Sequence, residues 1–441
     1  MKRSNSKDGG VSPPSLKRKF KSATTSTAVA SFFTPISKKQ PEKLSWRIVN
    51  QTLLVGQHGE LIQPATTAVK IAAFDFDSTL ITTASGRKYA KEPSDWKWWD
   101  ASVPETLKKL AEEGYLIVIL SNQSGINLTS ESGKPQADRK RLSDFKTKAS
   151  AVLNQLGFPI TLYAATTQDI YRKPRTGMWS QLINDYNLQA ADAIDLYNSM
   201  FVGDAAGRAV GSSANGGKDF SCSDRNFATN VGIPFQTPEE FFLKEEVKPF
   251  TRDFDPTKYV GPNATVSIDA TPLLFSKTNI LDIVIFCGSP GAGKSTFYWK
   301  HLQPLGYERV NQDIFKTRDK CLKVAENYLK EGKSVAVDNT NADVDTRAEW
   351  IKLSRRMDVP IRCVHFTANA KLCEHNDVVR ALNGSLMNPE NRQILPKMAF
   401  SSFVSRYREP TLKEGFEDIV RAEFTFEGTD EQKKVWLQYW L

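Results

Sequence analysis

No apolar run in the 441-residue chain approaches the ~20 residues that span a bilayer. The front of the chain is basic and polar, without the apolar stretch that opens a secretory leader, so an intracellular protein is expected. Cysteine is scarce: Cys222, Cys287, Cys321, Cys363 and Cys373 are scattered, with no C-x-x-C pair and no histidine partners at zinc spacing. That pattern argues against a disulfide framework or a zinc site and leaves reduced, mostly buried thiols. Acidic charge is short at the front, where residues 1–43 hold ten Lys/Arg against Asp8 and Glu42. This balance of +8, out of +9 for the chain, leaves only +1 for the other 398 residues. The body is nearly neutral, so any grip on a nucleic acid must come from local basic patches. Apolar residues are also too thin in that Ser-, Thr-, Lys- and Pro-rich segment to offset the entropy of ordering it, and a disordered basic tail is expected over 1–43.

What is present is a repeated rhythm of short apolar strands and helical stretches. WRIVNQTLLV (Trp46 to Val55) reads as a strand, followed by a turn from Gly56 to Gly59. VKIAAFDF, a helix around Pro104 to Glu113, YLIVILS, an amphipathic stretch from Asp138 to Leu156, TLYAATT, a helix after Gly177, and SMFVGD then follow. Residues 247–276 break the pattern with Pro, Gly and Asp and read as a linker. The alternation resumes with LDIVIFCG, a helix from Lys294, ERVNQD, a helix from Phe315 to Glu331, SVAVDN, a helix near Arg347, and PIRCVHFTA. Fully apolar strands between helices imply parallel sheets covered on both faces, so two α/β domains in series are expected, over 44–246 and 277–441.

Each domain carries its own chemistry at strand ends, where open α/β sheets place their ligands. In the first, Asp75 and Asp77 of D-x-D-x-T stand at i and i+2 on an extended segment and can face one pocket. One can attack phosphorus while the other exchanges a proton with the leaving alcohol. Ser121 and its neighbours Asn122 and Gln123 follow YLIVIL and offer a hydroxyl and amides to phosphate oxygens; Lys173 supplies a cation, and Asp204 follows SMFVG. These four pieces, in this order, resemble the haloacid dehalogenase phosphatase superfamily. The resemblance implies that Asp75 is the nucleophile and Asp77 the acid/base, with Ser121 and Lys173 holding the phosphoryl group. It also implies a Mg²⁺ site drawn from Asp75, Asp77 and Asp204. A further acid usual shortly after the last motif is missing here, where Ala205 to Arg208 follow; Asp219 and Asp224 come later and are expected to cap or pair rather than to bind metal.

In the second domain Gly288, Ser289, Pro290, Gly291, Ala292, Gly293, Lys294 and Ser295, with Thr296 behind them, match G-x-x-x-x-G-K-[ST] between an apolar strand and a helix. The glycines let backbone N–H groups wrap the phosphates of ATP, Lys294 reaches the β- and γ-phosphates, and Ser295 ligates Mg²⁺. Asp313, ending ERVNQD, is placed to take a proton from an attacking hydroxyl, and Asp338 to Asn341 to approach the metal and the acceptor. Arg380, with Arg392 in the same late region, is the candidate lid arginine.

Phosphatase then P-loop kinase, with FDFDSTLITT, YRKPRTGMW, FVGDAAGR, KDFSCSDRNFA, GSPGAGKST and DNTN, resembles the eukaryotic polynucleotide kinase 3′-phosphatase family over about residues 44–441. The resemblance implies DNA ends as substrate, 3′-phosphate removal, and ATP-dependent 5′ phosphorylation. Animal members also carry an N-terminal forkhead-associated domain, which 43 residues are too few to hold, so recruitment through phosphopeptides is not expected. The motifs leave open RNA-end healing and a small-molecule phosphatase/kinase fusion. In the tail, Lys2-Arg3 and Lys17-Arg18-Lys19 read as a nuclear import signal. Residues 26–39, with Val29 three positions before the paired aromatics Phe32-Phe33, resemble peptides that dock on the replication sliding clamp, although Ser26 stands where glutamine is usual. A monomer is the default expectation.

Overall fold

A computed structural model describes residues 44–61, 68–129, 135–209, 218–260 and 275–441. The basic tail, with the import and clamp-docking segments expected there, lies outside the described residues.

The first domain opens with a correction. Trp46 to Val55 is not one strand but a hairpin of β1 (Leu44–Val49) and β2 (Leu53–His58), paired antiparallel. Asn50 and Gln51 both take positive φ, 46° and 60°, and Thr52 N–H closes the turn on Val49 C=O at 3.2 Å. Two left-handed central residues are what a tight hairpin turn requires, and Asn tolerates that conformation better than most.

The chain then enters β3 (Ile71–Phe74), leaves through a small ribbon of β4 (Ile81–Thr82) and β5 (Lys97–Trp98), and continues through β6 (Leu116–Asn122), β7 (Ile160–Ala165), β8 (Met200–Val202) and β9 (Phe235–Gln236). The main sheet runs β1-β2-β7-β6-β3-β8-β9. It is parallel from β7 to β9, as expected, while the hairpin adds an antiparallel edge through β2 and β7. Alternate residues of each strand feed opposite faces. Leu54, Phe74, Ile117 and Ile119 meet Leu107, Phe145 and Val152 on one side, and Leu53, Ile71, Val118 and Leu120 meet Trp179, Leu182 and Phe227 on the other. The continuous apolar runs are therefore buried on both faces, which is why they show no polar alternation.

The second domain holds β10 (Ile283–Cys287), β11 (Glu308–Val310), β12 (Val335–Val337), β13 (Ile361–Phe366) and β14 (Ile419–Ala422), all parallel, in the order β11-β12-β10-β13-β14. In each sheet one strand stands where the chain order turns back, β3 between β6 and β8, and β10 between β12 and β13. The crevice beyond such a strand is open to ligands.

The expected linker is only partly a spacer. Phe254 is buried in a cluster with Leu372, Val378, Val379, Trp436 and Trp440, and Tyr259 packs against it. Residues 250–260 thus belong to a seam, which the backbone of Tyr439 and Trp440 extends to Asn230 and Arg175 of the first domain.

Candidate active sites

Asp75 follows β3 directly, and its N–H donates to Val202 C=O of the neighbouring strand at 2.9 Å, which fixes the carboxylate at the mouth of the sheet. Lys173 Nζ lies 2.7 Å from Asp75 Oδ1 and 2.8 Å from Asp224 Oδ1, with all three side chains nearly closed to solvent. Carboxylate oxygens of Asp75, Asp204 and Asp224 lie within 4.8 Å of one another. Burial, opposed by Lys173 and reinforced by Asp224 and Asp77, pushes the Asp75 carboxyl up to about 7. Asp204 is raised well above the usual carboxylate range, chiefly by burial and then by Asp75 and Asp224. Burial acts against the Lys173 charge, but Asp224 and Asp75 outweigh it and hold the ammonium above its ordinary value. Three carboxylates, those of Asp75 and Asp224 buried and that of Asp204 partly so, against one lysine leave a deficit of positive charge, and this oxygen-only donor set suits a hard divalent cation.

Two expected residues sit just outside that cluster. Asp77 is half exposed and does not point at the carboxylates: its Oδ1 pairs with Lys148 Nζ at 2.8 Å and its Oδ2 accepts from Gln123 Nε2 at 2.7 Å. Ser121, buried at the end of β6, accepts from the same amide at 3.0 Å. Asn122 clamps the Lys173 backbone, accepting from its N–H at 2.9 Å and donating to its C=O at 3.0 Å.

The capping and pairing duty expected of both later acids holds for Asp219, which pairs with Arg208 at 2.9 Å, but has to be corrected for Asp224. Asp224 does accept from Ala205 N–H at 3.1 Å, yet its other oxygen faces Lys173 and the carboxylate cluster. Gly203 makes this possible, because a Cβ there would stand 2.4 Å from Asp224 Oδ2. Sequence reasoning also missed Lys148, which carries no signal on the long helix Pro135–Leu156.

The second site forms where β10 ends. Gly291 and Gly293 take φ of 75° and 93°, and a Cβ on Gly291 would meet Cys373 C=O at 2.2 Å; the turn therefore needs glycine twice over. Lys294 is buried, and its ammonium donates to the carbonyls of Gly288 at 3.0 Å and Ser289 at 2.6 Å. Burial draws it below the ordinary lysine range. Ser295 Oγ donates to Asp338 at 2.8 Å, and Arg309, which sequence reasoning did not single out, reaches both, with Nη2 at 2.5 Å from Asp338 and 3.0 Å from Ser295. Pro290 to Thr296 line a cavity of about 1770 Å³ that also takes in Asp313, Asp338, Arg380 and Arg392. Asp313 stands in the short helix Gln312–Phe315 rather than at a strand end, largely exposed, 3.2 Å from Arg392 Nη1. Arg380 is paired instead with Asp377 at 2.5 Å.

Residues 70–242 match the family described as polynucleotide kinase 3 phosphatase, and residues 283–410 match an AAA domain. A bifunctional polynucleotide phosphatase/kinase from Schizosaccharomyces pombe is 39% identical over 403 residues, covering 91% of this chain and 89% of that one. A putative bifunctional polynucleotide phosphatase/kinase of Acanthamoeba polyphaga mimivirus is 34% identical over 376 residues, 81% and 86% of the two chains. A polynucleotide 3′-phosphatase of Arabidopsis thaliana is 34% identical over 194 residues, 41% of this chain and 25% of that one.

Proposed function

The chain belongs to the family of bifunctional polynucleotide phosphatase/kinases, and on that premise we propose a role for each residue of its two constellations. The protein is a bifunctional DNA-end-processing enzyme, a 3′-phosphatase and a 5′-kinase. We assign the first activity to residues 44–246 and the second to 277–441, acting as a single chain. The observation that carries the reading is that one chain holds two separate constellations, each beyond the strand at which the chain order of its own sheet turns back.

In the phosphatase, Asp75 attacks phosphorus of the 3′-phosphate, the bond from phosphorus to the 3′-oxygen breaks, and Asp77 gives its proton to the departing alkoxide. Asp77 then takes a proton from the water that cleaves the aspartyl-phosphate. Lys173 orients Asp75 and screens its charge from the incoming phosphoryl group, whose oxygens Ser121 receives. Asp75, Asp204 and Asp224 are the residues that would hold Mg²⁺. When bound, the ion offsets the repulsion between an anionic nucleophile and an anionic substrate.

In the kinase, the loop from Gly288 to Thr296 wraps the phosphates of ATP. The 5′-hydroxyl oxygen attacks the γ-phosphorus, its proton passes to Asp313, and ADP leaves. Lys294 and Arg380 neutralise the transferring group, and Ser295 and Asp338 would hold the metal of the nucleotide. Oligonucleotides labelled at either end test the assignment. Asp75→Asn is expected to abolish 3′-phosphate release and keep 5′ phosphorylation, and Lys294→Ala the reverse; loss of both activities from one folded variant would refute it. We also assign nuclear localisation to the two basic clusters of residues 1–21, and docking on the sliding clamp to residues 26–39.

A further inference from the structure

The backbone around the phosphatase lysine is held from two sides, and one of them leads out of its own domain. Asn122 fixes Lys173 from β6, as described. Beyond it, Asn230 Nδ2 donates to Pro174 C=O at 2.9 Å and to Tyr439 C=O at 2.8 Å, while its Oδ1 accepts from Tyr439 N–H at 2.9 Å. One side chain thereby ties the residue after Lys173 to a segment of the kinase domain. Arg175, buried, adds a second tie by donating through Nε to Trp440 C=O at 3.3 Å and through Nη1 to Asp169 C=O at 2.7 Å. Asn230 also stands near the end of the helix Ser223–Val231, whose first turn carries Asp224. Arg252 of the seam grips the same helix, donating to Asn226 Oδ1 at 2.8 Å and lying 4.8 Å from the centre of the Tyr439 ring.

We infer that Tyr439 and Trp440, carried by the kinase domain, are positioning residues for the 3′-phosphatase, acting through Asn230 and Arg175 on the Lys173 loop and the Asp224 helix. This rests on the phosphatase reading of the Asp75 site. The two elements so tied deliver both ion pairs of Lys173, at 2.7 and 2.8 Å. A small displacement of either weakens the hold on the nucleophile, and misplacement on the order of 1 Å is enough to slow a reaction by up to about a hundredfold. Trp440 meanwhile is buried in the kinase-side cluster with Trp436 and Leu372, so the support is anchored in one domain and felt in the other.

The test compares the full chain with Asn230→Ala, with a variant lacking residues 439–441, and with the combination. In each, kcat and KM are measured for phosphate release from a 3′-phosphorylated oligonucleotide, and ATP-dependent 5′ phosphorylation is measured in the same preparation. Each single change is expected to lower the phosphatase kcat roughly tenfold, with KM within about twofold and the kinase rate kept. The combination is expected to fall well short of the product of the two losses, because both remove the bridge from Asn230 to Tyr439. Asp75→Asn, run alongside, checks the phosphatase reading on its own. A phosphatase kcat within about twofold of wild type in both single variants overturns the inference, as do losses that multiply to about a hundredfold in the combination. Should the shortened variant lose its fold, and with it the kinase rate, Asn230→Asp carries the test. It keeps the acceptor for Tyr439 N–H and forfeits both donors, and an unchanged kcat there likewise overturns the inference.

Discussion

Alanine at position 203 would bring a methyl group into the phosphatase site without changing any charge. Gly203 does not have a positive φ, so its backbone admits alanine and the effect is one of contact alone. The new Cβ would stand 2.4 Å from Asp224 Oδ2, 2.7 Å from its Cγ and 2.8 Å from its Cβ, where ordinary contact begins near 3.4 Å. Asp224 must therefore retreat by roughly 1 Å. That retreat opens its 2.8 Å ion pair with Lys173 and pulls one carboxylate out of the cluster with Asp75 and Asp204. A charge-assisted hydrogen bond of this kind contributes about 1.5–3 kcal/mol, and a shift of this size at a reacting centre costs about a hundredfold in rate, or about 2.7 kcal/mol. Gly203→Ala is thus expected to lower 3′-phosphate release by about a hundredfold while the 5′-kinase rate, set by residues of the other sheet, stays at the wild-type value. Steady-state release of inorganic phosphate from a 3′-phosphorylated oligonucleotide measures the first, and transfer of labelled phosphate from ATP the second. A variant that keeps more than a third of the wild-type phosphatase rate refutes the assignment of Asp224 to the reacting centre.

His375 provides a pH test. It is buried against Phe254 and Trp436, its Nε2–H donates to Trp436 C=O at 2.8 Å, and burial pushes its pKa down to about 4 from 6.5. The folded chain therefore binds fewer protons than the unfolded chain between those values. The stability from neutral His375 is complete above pH 6.5 and is lost as pH falls toward 4, a change on the order of 3 kcal/mol. Denaturant unfolding of the protein at pH 7 and pH 5 should show about 2 kcal/mol of it, and the same pH dependence in His375→Leu would dismiss it. A fluorescent fusion without residues 1–21 should lose its nuclear accumulation; full retention sinks the import assignment. A peptide of residues 22–43 should bind purified sliding clamp saturably at moderate salt, and binding that is unchanged by Phe32→Ala with Phe33→Ala removes the docking proposal.

What the sequence made legible were the pieces whose chemistry is contiguous. Asp75 and Asp77, Ser121, Lys173, Asp204 and the loop around Lys294 each follow an apolar strand or precede a helix, so local pattern alone picks them out as candidates, of which the fold gathers Asp75, Lys173 and Asp204 into one cluster. Asp224 was hidden because it lies twenty residues past Asp204 and reaches the cluster only through the packing of its helix over Gly203. Arg309 sits within β11, in a stretch read for its strand character, and only the approach of β11 to β12 and the loop after β10 gives it Ser295 and Asp338 as partners. The hairpin at Asn50-Gln51 lacks the glycine that usually announces such a turn. Over 247 to 276 the Pro, Gly and Asp signal a spacer while the aromatics Phe254 and Tyr259 signal burial, and at those two positions the fold follows the aromatics. The contact of Asn230 with Tyr439 spans 209 positions, and no local pattern encodes a pairing that distant.

The seam also imposes an order on synthesis. Both cores of the first sheet draw their buried residues from positions up to Phe241, so they can close while the kinase domain is still being made. The cluster around Phe254 cannot, since Trp436 is made 182 residues later. At about 5–20 residues per second, Phe254 waits roughly 10–40 s for its partners. During that interval the phosphatase half can already fold around Asp75 and Lys173, yet Asn230 and Arg175 lack their partners at Tyr439 and Trp440. The nascent enzyme therefore completes its phosphatase cores first, and that earliest-folded active site is among the last to be braced.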